Sequence, residues 1–409
     1  MTTDKHNKRP NVPPLRFPEF TEPWETAKLG AIAEFSKGTG ISKEQRSETG
    51  LPCILYGELY TTYTNEVIED VVSKTDLDPT DLVKSHKNDV IIPSSGETAE
   101  DIATARCVTS DNVLLGGDLN IIRLAEPIDG RFMSYQLNGI RKYDIAKIAQ
   151  GVSVVHLYGG DLKMLSVTFP QSPEQKKIAD CISLLDRRIS VQSGLIEKLE
   201  SLISGICKQF HDETENWIQV SFIELGEDYS GLTNKSAGDF GKGKPYITYL
   251  NVNTNHIIDE SQIQYVSVAD DEKQNKVHWG DVIFTLSSET PDEVAVGSVY
   301  LGNCDELYLN SFCFGIHIVN EQYIYQPYLS YFISSPQFRK WVFPLAQGST
   351  RFNLQKADFM NKKFLLPPIK EQKKLYDSLS TISKRVVIES SILSKLQLLK
   401  LYLLQQMFI

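Results

Sequence analysis

The chain has 409 residues, of which 41% are hydrophobic and 23% charged, with a net charge of −10. That length exceeds one ordinary core and suits two domains with connectors. No apolar run reaches the ~18–20 residues of a membrane span, the start MTTDKHNKRPNVPP lacks the apolar core of a secretory signal, and the acidic average by itself argues against nucleic acid, because phosphate neutralisation needs a basic surface.

Residues 1–15 read as a disordered lead-in. The first lobe, residues 16–172, opens with LRFPEFTEPWETAKLG, whose Phe17, Glu22 and Trp24 return as Phe210, Glu215 and Trp217. Trp24 reads as core. The run KGTGISK is not a phosphate-binding P-loop, since GxxxxGK[ST] is absent. Its Lys37, Thr39 and Lys43 are loop candidates for contact with a phosphate, and Asn234 and Lys235 are loop candidates in the second half. LPCILYGELYTTY, which holds Tyr56, is rich in aromatic and branched residues and reads as a strand. Its counterpart KPYITYLNVNTN holds Tyr249 and Asn251.

KNDVIIPSSGETAEDIATA matches WGDVIFTLSSETPDEVAVG, with Asp89, Val90 and Ile91 over Asp281, Val282 and Ile283. Each reads as a buried strand ending in a polar loop, where a rigid scaffold presents binding residues. The candidates are Ser94, Ser95 and Thr98 in the first copy, and Ser287, Ser288 and Thr290 in the second. DNVLLGGDLNIIRL and DELYLNSFCFGIHIV form a further strand pair, and RFMSYQLNGI and QPYLSYFISSPQFRKWV read as helices. Then AQGVSVVHLYGGDLKMLSVTFP aligns with AQGSTRFNLQKADFMNKKFLLPP. The polar loop after AQG offers Ser153 and His156 in one copy, and Ser349, Thr350, Arg351 and Asn353 in the other. Arginine and asparagine can read base edges, and loop N–H groups can hold a phosphate.

Residues 173–212 read as one amphipathic helix. Ser172 is placed as its N-cap, Gln175 as the reciprocal residue of a capping box and Pro173 at the first helical position. Ile178, Ile182, Leu185, Ile189, Ile196, Leu199, Ile203, Ile206 and Phe210 recur at spacings of four and three, broken by Gln192. After the second lobe, residues 213–366, the segment 367–409 repeats this helix at an offset of 197, with Pro367 over Pro170, Gln372 over Gln175 and Glu389 over Gln192. Lys400 is a second break. Such seams need a partner helix, and in an antiparallel pair Gln192 and Glu389 would meet as a polar layer that fixes register. The expected fold is α+β: two similar α/β lobes from an internal duplication, separated by two long paired helices. Each helix spans roughly 60 Å.

Catalytic motifs are missing. There is no GxSxG elbow, no GxGxxG loop, no Asn/Asp-Pro-Pro-aromatic tetrapeptide for methyl transfer and no nuclease carboxylate cluster. Six cysteines without a CxxC pair read as reduced thiols of a cytoplasmic protein. Seven scattered histidines show no HExxH or paired spacing, so no metal site is expected. Charge is segregated alike in both halves: Glu58–Asp101 holds eleven acids and three bases, and Arg131–Arg188 nine bases and five acids. Asp259–Glu306 holds eleven acids and two bases, and Arg339–Lys374 nine bases and two acids.

The order of lobe, helix introduced by FPQSPEQKKIA, lobe, and helix introduced by LLPPIKEQKKL, preceded by NVPPLRFPEFTEPWETAKLG, resembles the specificity (S) subunit of type I restriction–modification systems. The resemblance covers nearly the whole chain, and GDVIFTLSSETPDEV and AQGSTRFNL also look like family segments. It departs at AQGVSVVHL, where Val154 replaces the usual polar residue. The resemblance implies a non-catalytic chain whose two target-recognition lobes each read one half of an asymmetric, bipartite site in double-stranded DNA, with the two helices as an antiparallel coiled coil that spaces the lobes, long enough to hold them up to ~17 base pairs apart at a rise of ~3.4 Å. It implies that two modification (methyltransferase) subunits dock on the assembly, and it makes outward helix residues such as Arg187, Arg188 and Lys198 candidates for that contact. S-adenosylmethionine would sit on those subunits, and ATP and magnesium on restriction (translocase and nuclease) subunits. Partner subunits would then supply much of the phosphate contact that an acidic chain cannot. The competing reading is a two-lobed protein-binding adaptor with the helices as a rod. An enzyme working through paired carboxylates has no motif to support it.

Overall fold

The computed structural model describes residues 11–151 and 154–409, without the side chains of 211–213. Residues 1–10 of the expected lead-in and Ser153 therefore lie outside the described residues. Residues 11–15 are tied down: the Trp24 N–H donates to the Asn11 carbonyl at 2.8 Å, and the Leu15 N–H to the Gln406 carbonyl at 2.9 Å.

The chain forms two compact units, one of residues up to 196 together with 388–409, the other of residues 197–387. The division cuts both long helices, Ser172–Glu213 and Ile369–Gln406, so that each unit keeps a part of each.

Unit 1 is built on strands β1 (Ala33–Lys37), β2 (Val67–Ile68), β3 (Asp89–Pro93), β4 (Arg106–Val108) and β5 (Leu119–Leu124), in the order β1-β5-β3-β4-β2. All pairings are antiparallel except that of β2 with β4. Successive side chains on a strand point to opposite faces, and both faces of β3 are covered. Val90 and Ile92 enter one core with Ile122, Met133 and Leu137, while Ile91 enters another with Ile54, Leu59 and Ile121. This explains why DVIIP is wholly buried instead of alternating.

Unit 2 repeats the plan with β6 (Gly226–Ser230), β7 (Val282–Thr285), β8 (Gly297–Val299) and β9 (Cys313–Ile318), in the order β6-β9-β7-β8. A single parallel bridge, Ile257 to Val299, stands where β2 pairs β4 in unit 1. Val282 and Phe284 face one core, Ile283 the other.

Three expectations change. LPCILYGELYTTY is a strand only over Leu51–Ile54 and then turns into the helix Glu58–Thr61, whose Glu58 carboxylate accepts the Leu55 N–H at 2.8 Å. Its counterpart likewise leaves the strand Phe240–Ile247 for the helix Tyr249–Thr254, capped by Thr248. QPYLSYFISSPQFRKWV divides into Gln326–Phe332 and Pro336–Val342, because Pro336 cannot continue a helix and Ser335 caps the Phe338 N–H.

The third change concerns the capping box. Ser172 is already helical, and the Gln171 carbonyl accepts from the N–H groups of Glu174 and Gln175. The Gln175 side chain clamps helix to lobe instead: Oε1 accepts the Asp129 N–H at 2.9 Å, and Nε2 donates to the Pro170 carbonyl at 2.8 Å. Gln372 repeats both bonds with Tyr325 N–H and the Pro367 carbonyl, at 2.9 and 2.8 Å. Both glutamines are buried. Leucine at either position would leave a buried donor and acceptor unmet, at about 1–3 kcal/mol. Gln175→Leu should therefore raise hydrogen exchange in unit 1 and Gln372→Leu in unit 2; equal protection in both variants would show that the clamps carry no stability.

Within unit 1 the long helices run antiparallel: Gln192 lies beside Glu389, Asp186 beside Lys400, and Ile178 and Ile182 share a core with Leu404 and Met407. The Gln192 Nε2 donates to the Glu389 backbone carbonyl at 3.1 Å and to its carboxylate. In unit 2, Ile203, Ile206 and Phe210 pack on the core that holds Leu375 and Leu379. No helix among the described residues is long and apolar enough to cross a membrane.

Candidate nucleic-acid interface

In each unit the central strand runs on into a second, short pairing that leaves the sheet. Ser95–Gly96 pairs with Val155–His156 in unit 1, with His156 opposite Ser95. Ser287–Ser288 pairs with Phe352–Asn353 in unit 2, with Asn353 opposite Ser287, and Ala346–Gln347 closes the hairpin on the other side. The registers make His156 and Asn353 equivalent, and therefore Val154 and Arg351 also.

The hairpin begins at the glycine of AQG. Gly151 has φ +127° and Gly348 φ +143°. A Cβ on Gly348 would fall 2.0 Å from the Arg351 carbonyl oxygen, and one on Gly151 2.1 Å from that of Val154. Only glycine fits both the dihedral and the approach.

In unit 2 this fold gathers Tyr249, Ser287, Ser288, Arg351 and Asn353, with Ser349 and Thr350 exposed in the hairpin turn and Thr290 exposed in the loop that follows Ser288. The Tyr249 hydroxyl donates to the Ser287 carbonyl at 3.0 Å, and burial raises its pKa, so it stays a donor. The Ser288 hydroxyl is engaged by the Glu293 carboxylate at 2.9 Å. Arg351 is exposed, its guanidinium 5.8 Å from the centre of the exposed Phe312 ring and one Nη donating to the Ser287 Oγ at 3.3 Å. No carboxylate pairs with Arg351 among the described residues. It is an exposed cation held at two points, with most of its N–H donors without a partner among the described residues.

In unit 1 the same region is a cleft of about 710 Å³ lined by Tyr56, Tyr60, Ser95, Thr104, Arg106 and Val154. The Tyr60 hydroxyl donates to the Ser95 carbonyl at 3.1 Å. Tyr60, not Tyr56, therefore makes the contact that Tyr249 makes in unit 2. Ser94 is buried below, its N–H given to the Asp118 carbonyl at 2.7 Å. Thr98 is occupied as the N-cap of the helix Ala99–Ile102. His156 is exposed beside Tyr158, with ring centres 6.2 Å apart.

Several candidates lie elsewhere. Asn251 is corrected outright: it is fully buried, and its amide bonds the Asp259 backbone carbonyl and N–H at 2.9 and 3.1 Å, leaving nothing to offer DNA. Thr39 accepts the Val83 N–H at 3.0 Å, and Lys235 is spent on Glu272. Lys37, Lys43 and Asn234 are exposed loop or strand-end residues outside the hairpins. Sequence reading missed Tyr60, Thr104, Arg106 and Phe312. Arg106 was hidden by its strand: its guanidinium is buried on the carbonyls of Tyr63, Ala105 and Leu59, and burial lowers its pKa against the pull of Glu66 and Asp186.

The family model of the type I restriction modification DNA specificity domain matches residues 21–201 and again 216–398. The chain belongs to this family. Its function is that of a DNA specificity subunit in a type I restriction–modification system. It is 21% identical over 401 residues to the type I restriction enzyme MjaVIII specificity subunit of Methanocaldococcus jannaschii, covering 92% of this chain and 89% of the relative. It is 21% identical over 415 residues to the EcoKI specificity subunit of Escherichia coli K12, covering 90% and 85%. The crystal structure of the S subunit from M. genitalium superposes with a TM-score of 0.64 at 17% identity, over 97% of this chain and 99% of that one. A chain from a structural study of the assembly and conformational transition of a type I system gives 0.51 at 16% identity, over 94% and 97%. The specificity-domain repeat thus coincides with the duplicated sheet and hairpin, and the family match supports DNA as the ligand of a chain whose net charge alone argued otherwise.

Proposed function

We propose that each lobe reads one half of a bipartite, asymmetric site in double-stranded DNA through its AQG hairpin, and that the two hairpins read different sequences. The observation that carries this is one scaffold bearing two tips: the same register, the same glycine and the same tyrosine-to-serine bond hold Val154 and His156 in one lobe, and Arg351 and Asn353 in the other. Apolar and charged tips present different chemistry to base edges.

The long helices set the gap between half-sites and dock two modification subunits. Supporting this, the unit 1 parts of the helices leave Leu184, Val191, Leu398 and Tyr402 more than half exposed, and an exposed apolar surface of that kind marks a protein contact. Arg187 and Arg188 lie exposed on the same helix. The chain itself carries none of the chemistry of methylation or cleavage. S-adenosylmethionine belongs to the modification subunits, and ATP and magnesium to restriction subunits.

The test is co-expression with the cognate modification subunit, followed by mapping of methylated adenines in host DNA. A bipartite motif is expected, and exchanging residues 217–366 for those of another specificity subunit should change one half and leave the other. Absent or unpatterned methylation would sink the reading, as would a change in both halves.

A further inference from the structure

The N-terminal end of β7 holds a cluster that the hairpin does not use. Asp281 is 2% exposed and carries three contacts. Its Oδ1 lies 2.9 Å from the Nδ1 of His317 on β9, and its Oδ2 accepts from the Tyr229 hydroxyl at 2.8 Å and from the His278 backbone N–H at 2.7 Å. The rings of His278 and His317 are tilted with centres 4.8 Å apart. One ligand atom from each of His278, Asp281 and His317 lies within 4.8 Å of the others.

The repeat supplies an internal comparison. In unit 1, His86 stands at the position of His278, Asp89 at that of Asp281, and Arg123 at that of His317 on the equivalent strand. The Arg123 guanidinium meets Asp89 through two bonds, at 3.0 and 2.8 Å. Unit 1 thus neutralises its buried carboxylate with a permanent cation built into the chain. Unit 2 has one imidazole, His317, in place of that cation.

We propose that His278, Asp281 and His317 bind one divalent transition-metal ion of the zinc class. Two imidazole nitrogens and a carboxylate oxygen are the donor set that such borderline ions take, with bonds of about 2.0–2.2 Å. Two ligand atoms on one tetrahedral ion then lie roughly 3.4 Å apart, so the Asp281 and His317 atoms, now 2.9 Å apart across a hydrogen bond, need part by only about half an ångström. The ion replaces the proton between them. His278 is exposed and free to swing the remaining ångström or so, and solvent completes the shell. Asp281 and the hairpin serines Ser287 and Ser288 lie at opposite ends of β7, so the ion fastens the segment before β7 to β9 and does not touch the DNA-reading end.

The test uses the full chain, stripped with chelator and titrated with Co²⁺ as a spectroscopic probe and with Zn²⁺ in competition. Binding of one Co²⁺ per chain is expected, with weak visible bands of nitrogen and oxygen ligation, displaced by Zn²⁺. His278→Ala and His317→Arg should each weaken binding at least tenfold. The second variant recreates the pairing of unit 1, so it keeps Asp281 neutralised and the fold intact, and circular dichroism checks this. Zn²⁺ should raise the thermal midpoint of the parent chain and not of either variant. No stoichiometric Co²⁺ binding, binding unchanged in both variants, or an intense thiolate band from the cysteines would each overturn the proposal.

Discussion

Replacing Lys400 with Met is expected to destabilise unit 1 by about 3–5 kcal/mol, the usual cost of removing one partner from a buried ion pair. The Lys400 Nζ lies 2.7 Å from the Asp186 carboxylate and also bonds Glu66. The three side chains are only 15%, 6% and 10% exposed. The Tyr135 hydroxyl donates to Asp186 at 2.7 Å, which satisfies the acid without supplying charge. Arg106 is the other cation close enough to be felt, but its donors are committed to carbonyls. Burial alone would lower the Lys400 pKa; Glu66 and Asp186 outweigh it and hold the ammonium above its ordinary range. The stabilisation is therefore complete at neutral pH and fades only as pH rises through that elevated value. Burial raises the Asp186 carboxyl, with Lys400 opposing.

Without Lys400, the Asp186 carboxyl should titrate higher still, since Lys400 is what opposes its burial. A carboxyl with a raised folded-state pKa gives a native state that binds more protons than the unfolded one, so stability falls as pH rises. The variant should be relatively better at pH 5 than at pH 8, and adding Glu66→Gln and Asp186→Asn should recover most of the loss. Arg187→Ala is the contrast. Its partner Glu69 is also exposed, at 47% against 63% for the arginine, and such a pair contributes about 0–1 kcal/mol. Hydrogen exchange in residues 388–409 reads unit 1 separately. A Lys400→Met loss no larger than that of Arg187→Ala, or one that ignores pH, would refute the buried triad.

The duplication, the buried strands and the polar loops after AQG were legible because each leaves a local mark. Fully buried DVIIP and DVIFT stand out from alternating strands, and AQG recurs because only glycine fits both the positive φ and the carbonyl approach at Gly151 and Gly348. The pairing of the helices followed from their repeated seams, while the antiparallel sense came from the family resemblance, because two breaks near the helix centres would meet in either orientation. What was not legible depends on convergence. Tyr60 reaches Ser95 from a one-turn helix concealed in a run that reads as strand. Phe312 supports Arg351 from 39 residues away. His278 and His317 have no short spacing to announce them and meet only because β7 and β9 are neighbours. Gln175 and Gln372 looked like capping residues because capping and clamping use the same amide at the same helix position. Periodicity reports which face of an element is covered; it does not report which loops arrive there.

Arg351→Ala is expected to weaken DNA binding by the assembled specificity and modification subunits by about 1–3 kcal/mol, roughly 5- to 150-fold, and to relax sequence preference at one position in one half-site. The argument rests on how the side chain is held. One Nη on the Ser287 Oγ and a guanidinium over the Phe312 ring restrict the rotamers of a residue that otherwise loses much freedom on binding. The remaining donors form a planar fork suited to the O6 and N7 atoms of guanine. A lysine cannot reproduce that fork, so Arg351→Lys should restore general affinity and not the preference. Phe312→Ala should act in the same direction by a smaller amount, since it loosens the arginine without removing a contact. The measurement is competition binding with duplexes permuted one position at a time, at two salt concentrations. A phosphate-contacting arginine would give a different pattern: a loss uniform over all permuted duplexes and a salt slope smaller by about one. That pattern, or a changed preference in both half-sites, would remove Arg351 from base reading.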